Sequence, residues 1–166
     1  MDFDEPGWPL IDDFFRELAA GRSDTSIRRY ARVHHRLVAF LDTADMTLGL
    51  GDERSALLDA EREFHDSGAF WTVWGPDELV ECLPSFLHET WMPPGLGESR
   101  VQISVVSRLL AHLMRQRLLD GEATPRSILD VTAAIGQAQR ALEARSAHPA
   151  GSQMPGRFLQ QPGPEW

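Results

Sequence analysis

Ser23-Asp-Thr-Ser-Ile-Arg-Arg-Tyr-Ala-Arg-Val-His-His-Arg-Leu-Val-Ala-Phe-Leu41 has apolar residues at three-and-four spacing, which predicts a helix. At about 100° per residue, Ile27, Tyr30, His34, Leu37, Val38 and Leu41 gather on one side. Arg28, Arg32, His35 and Arg36 gather on the other. One side suits a core. The other suits either an ordinary solvated surface or a phosphate backbone, which guanidinium groups recognise well.

Helical signals extend outward from this stretch in both directions. Leu10, Ile11, Phe14, Phe15 and Leu18 predict a first helix over Pro9 to Ala20, stopped by Gly21, and Ser23 or Asp24 caps the second. A polar third helix is expected over Asp52 to His65, and a fourth opens at Gly75-Pro-Asp-Glu with Pro84 able to kink or shorten it. The fifth, about Glu98 to Leu119, buries Ile103, Val106, Leu110 and Leu113. It displays Arg100, Ser104, Arg108 and Arg115 in a second basic strip.

Thr124-Pro-Arg opens a sixth helix to about Arg145, with Ile128, Val131, Ile135, Ala138 and Leu142 in register. This stripe can pack on its own domain or serve a protein partner or self-association, through Ile128, Val131, Ile135 and Leu142. No run of alternating β-branched residues occurs, so the expected fold is all-α, a bundle of five to six helices. The expected organisation is a single helical domain over 1–145 and a flexible tail over 146–166.

The formal net charge of −9 conceals strong segregation. Residues 22–36 hold five arginines against Asp24, whereas residues 37–100 hold three arginines against thirteen acids. All 16 basic residues are arginine. Bulk electrostatic coating of nucleic acid is therefore excluded, and any polyanion must be met by a localised patch.

Catalytic and metal signatures are not found. His34 and His35 are adjacent on a helix and point about 100° apart, which prevents them from sharing one ion, and there is no phosphate loop or nucleophile elbow. The single cysteine, Cys82, reads as a small buried side chain. The five tryptophans are not interleaved with the arginines, as a base-stacking platform would require. No enzyme activity, cofactor or metal is expected. The acidic start and the lack of a long apolar run make the cytoplasm the expected location, with no membrane partner.

The run Ser23-x-x-Ser26-Ile-Arg-Arg-Tyr30, with Leu37, Phe40 and Leu41 closing it, resembles the N-terminal core-binding domain of phage integrases and other tyrosine recombinases. Ser26 stands where that family usually has threonine. Trp74-Gly-Pro-Asp-Glu-Leu resembles the start of its next helix, and Ser99-Arg-Val through Leu109 to Asp120 its later helix and exit; the similarity covers roughly residues 9–120.

The resemblance implies a SAM-like fold that clamps double-stranded DNA. The arginines of the two helices would then form one common surface, with Arg28, Arg29, Arg32, Arg36, Arg100, Gln102, Arg108 and Arg115 as contacts. Two departures stand out: an acidic insertion over about 43–73, and the lack of the family's catalytic domain. Tyr30, the only tyrosine, lies on the apolar side and is a packing residue.

Overall fold

The computed structural model describes residues 9–122 and 124–147. Among them the chain is all-helical: α1 (Pro9–Ala19), α2 (Asp24–Thr43), α3 (Thr47–Leu50), α4 (Asp52–Arg62), α5 (Ala69–Val73), α6 (Pro76–Phe86), α7 (Leu96–Arg115) and α8 (Thr124–Ala147). No helix among the described residues is long and apolar enough to cross a membrane. The core is assembled around α6, whose Leu79, Val80, Cys82, Leu83 and Phe86 are all buried. Phe40 and Leu41 of α2, Phe70 of α5, and Leu109 and Leu113 of α7 complete it.

Local signals set most boundaries. Ser23 caps α2, its hydroxyl accepting from the Ser26 amide at 3.4 Å. Pro84 lies in the last turn of α6, and the helix continues to Phe86. Ser146 and Ala147, read from sequence as tail, belong to α8, where the Ser146 hydroxyl bonds the Leu142 carbonyl at 2.9 Å. The rest of the expected tail, residues 148–166, lies outside the described residues.

α7 stops four residues before its expected end at Leu119. Arg117 adopts φ 55°, and the Leu118 amide reaches back to the Leu113 carbonyl at 3.1 Å while the Arg117 amide bonds Met114 at 3.1 Å. This is a left-handed helix closure of the kind glycine usually supplies, achieved here by a side-chain-bearing residue. Within the insertion, α3 and α5 escaped the sequence reading because four or five residues cannot display a helical period. α3 lies so close to α6 that a Cβ on Gly49 would stand 2.9 Å from the Glu81 carbonyl oxygen.

α8 takes the first of the two uses its stripe allows, packing on its own domain. Its Val131 and Leu142 are buried against the core, and Ile128, Ala134, Ile135 and Ala138 pack beside them over α6 and α7. The stripe of Ile128, Val131, Ile135 and Leu142 is used within the domain and is not an open face for a partner. At the opposite side, α1 docks on α2 through a buried pair, with His34 Nε2 3.0 Å from Asp12 Oδ1 and the Phe15 ring edge-on to His34 at 4.8 Å.

Burial raises the Asp12 carboxyl above its ordinary range, and the charge and hydrogen bond of His34 draw it back down. A carboxyl raised on folding subtracts stability as pH climbs through its titration, and His34 offsets that loss. His34→Ala is therefore expected to cost about 3 kcal/mol near neutral pH. The deficit shrinks as acid protonates Asp12, which urea melts over a pH series will read. Arg117→Gly is expected to raise stability by up to about 1 kcal/mol through relief of the left-handed backbone, measured as an upward shift in Tm.

Candidate nucleic-acid interface

The solvent side of α2 carries the densest group of cations in the fold. Arg28 and Arg29 are exposed in its second turn, and Arg22 is exposed just before the cap. Among the described residues none of the three has a carboxylate within salt-bridge distance; Arg28 Nε instead bonds the Asp24 carbonyl of its own helix at 3.4 Å. Arg22 was not singled out from sequence because it precedes the helix whose faces were projected. Its proximity to the cap is the signal that could have found it.

Further along α2 the guanidinium groups are engaged. Arg32 pairs with Glu98 in the first turn of α7 and remains largely exposed. Arg36 is half-buried, its Nε donating to Gln102 Oε1 at 2.9 Å, and desolvation pulls its pKa below the ordinary arginine value. Gln102 itself is fully buried. Its amide nitrogen donates to the carbonyls of Phe86 at 3.0 Å and Trp91 at 3.1 Å. Gln102 is thus corrected from surface contact to internal clamp, because those two carbonyls lie beyond the end of regular helical pairing and require a donor.

The arginines of α7 face elsewhere. Arg100 Nη2 lies 3.4 Å from the Ser146 hydroxyl of α8, and Arg100 and Arg108 line a cleft of about 560 Å³ between α7 and α8, shared with Gln139 and Glu143. On α7 the α2-facing residues Glu98 and Gln102 are each about 160° around the helix from Arg100. The two strips therefore do not merge into the single surface expected from sequence. Arg115 stands apart at the end of α7, its Nη2 3.4 Å from His112 Nδ1, which is itself 3.5 Å from Glu17 of α1.

The acidic insertion does not cover the α2 cations. Arg62 of α4 donates to the carbonyls of Leu41 at 2.7 Å and Ala44 at 2.9 Å, which anchors the insertion at the far end of α2. Arg28 lies roughly 20 Å back along the helix axis, at 1.5 Å per residue. Screening at physiological salt acts over about 8 Å, so repulsion from the insertion is weak there.

Other chemistry is sparse. Among the described residues no group of three or more His, Cys, Asp or Glu could hold a metal ion. Cys82 is buried and its thiol pKa is pushed up to about 12 by desolvation, which removes it as a nucleophile. A cleft of about 900 Å³ floored by Phe40 and Trp91 opens between α3, α6 and the start of α8. Its residues come from five helices and the loops between them, so no local pattern announced it. Compared with known proteins, the chain matches no family model, no curated relative and no solved structure.

Removing the clamp has a clear expected result. Gln102→Ala leaves two carbonyls and a half-buried guanidinium without their partner, which should cost about 2 to 3 kcal/mol in a denaturant melt. Arg108→Ala, at an exposed position, should stay within about 0.5 kcal/mol of the parent chain.

Proposed function

We propose that the chain is a non-catalytic, SAM-like helical module that binds double-stranded DNA, similar in role to the core-binding domain of a tyrosine recombinase. Its principal contact is the N-terminal half of α2, where Arg22, Arg28, Arg29 and Arg32 meet backbone phosphates. Arg100 and Arg108 form a separate, secondary face, and Arg36 positions α2 against α7 while touching the duplex only through its outer edge.

One observation carries the reading: Arg22, Arg28 and Arg29 are exposed around the start of α2, and among the described residues none has a carboxylate within salt-bridge distance. Asp24 occupies the first turn, as the dipole favours, and the arginines on either side of it form no ion pair among the described residues that would assign them to the scaffold. The free amides at the start of α2 add to their attraction for phosphate. Arginine also presents a planar fork suited to phosphate oxygens.

A duplex titration by fluorescence anisotropy at several salt concentrations tests the proposal. Each phosphate contact contributes about 0.9 to the magnitude of the log–log salt slope. Arg28→Glu with Arg29→Glu should lower that magnitude by about 2 and weaken binding at low salt, whereas Arg100→Glu with Arg108→Glu should change it less. Salt-insensitive binding, or an α2 variant that binds like the parent, would overturn it.

A further inference from the structure

Leu57 on α4 and Phe64 in the turn just beyond it stand seven residues apart and are 51% and 79% exposed, although the helix buries Leu58 and Ser55 on its other side. Glu63 keeps right-handed helical angles and the Phe64 amide bonds the Glu61 carbonyl at 3.0 Å, so a tightened closing turn brings Phe64 to the side of α4 that carries Leu57. Ala60, also exposed, lies between them. The result is an apolar stripe about 10 Å long. Glu53 and Glu61 sit on the same face, one turn to either side of Leu57.

The arginines of α4 are turned away from this stripe. Arg54 donates to the Leu50 carbonyl at 2.7 Å and to Glu81 at 2.6 Å, and Arg62 holds the Leu41 and Ala44 carbonyls and Asp59. Both cations of the helix are thus consumed by internal contacts. Among the described residues, His65, 3.0 Å from Glu61, is the basic side chain left beside the exposed face. What faces solvent is an apolar stripe set in carboxylates.

We infer that this face of α4 docks a basic amphipathic helix from a partner protein, one with apolar residues at three-and-four spacing flanked by arginine or lysine. The stripe takes the partner's apolar row, and Glu53 and Glu61 take its cations. A second copy of this chain fits less well. Its arginine-bearing side of α2 offers charge, but between Arg28, Arg32, His35 and Arg36 only Ala39 is apolar, and the exposed Met114 and Leu118 beside Arg115 and Arg117 straddle the left-handed end of α7 and so make no continuous helical row. Nucleic acid is repelled by the same carboxylates, which makes the surface independent of the duplex-binding proposal.

A fluorescein-labelled helical peptide of about 18 residues, leucine along one face and arginine on both flanks, serves as the probe against the full chain. It should bind in a salt-sensitive manner, and a matched peptide with serine in place of leucine should bind at least about tenfold more weakly. Leu57→Ser with Phe64→Ser should weaken the leucine peptide by about tenfold or more. Glu53→Gln with Glu61→Gln should weaken it several-fold at low salt and abolish much of the salt dependence. Arg28→Glu with Arg29→Glu, which destroys the proposed duplex contact, should leave peptide affinity no weaker.

Glu53, Leu57 and Phe64 are exposed and Glu61 is partly so, and a thermal melt checks that each variant folds. Peptide binding indifferent to the leucine face, or unchanged by both α4 variants, would overturn the inference. So would sedimentation showing a dimer that Leu57→Ser with Phe64→Ser dissolves, since the face would then belong to a second copy.

Discussion

One buried side-chain amide governs how this bundle presents its charge. Gln102 lies fully inside α7, and its three hydrogen bonds reach the end of α6, the loop at Trp91 and Arg36 of α2. A buried amide must use its donors and acceptor well or it destabilises the fold, so the site admits few alternatives in rotation or slide of α7 against α2. That single constraint decides which way every other residue on both helices points. With Gln102 and Glu98 turned to α2, Arg100 and Arg108 are carried round to the α8 side.

The arginines consequently divide into three kinds of work that composition cannot distinguish. Arg54 and Arg62 terminate on backbone carbonyls and acids inside the insertion and hold it to α2 and α6. Arg32 and Arg36 tie α2 to α7 from positions one turn apart, each to a residue sixty-six positions later, so the two helices run in step through this contact. Arg22, Arg28 and Arg29 have no carboxylate within salt-bridge distance among the described residues and define the open cationic surface. A buried or half-buried guanidinium needs hydrogen-bonding partners to be tolerated at all, whereas an exposed one does not. Burial thus separates scaffold from candidate site.

The long helices were legible in the sequence because an amphipathic period over eleven or more residues leaves little choice, and Ser23, Pro76 and Thr124 marked their starts. The end of α7 was not, because a left-handed arginine carries no compositional flag of the kind a glycine gives. α3 and α5 were too short to show a period. For the site, projecting one helix at a time correctly separated apolar from cationic residues on α2, yet it could not say how α2 and α7 are rotated about each other. Gln102 was misread for this reason. Beside Arg100 in sequence it looks like a polar surface residue, and only the carbonyls of Phe86 and Trp91, supplied by other segments, explain its burial.

Net charge and local charge make different predictions, and the architecture favours the local one. The acids of the insertion are concentrated on α4, held at the C-terminal end of α2, while the exposed arginines occupy the N-terminal end. At physiological ionic strength the field of each group dies away within about one Debye length, shorter than the distance between them. A ligand arriving at either end therefore responds mainly to the charge it touches. The overall −9 acts chiefly on long-range approach, slowing encounter with polyanions and favouring cations. Holding the acidic α4 and the exposed arginines at opposite ends of the 20-residue α2 lets the chain offer two chemically distinct surfaces without either cancelling the other.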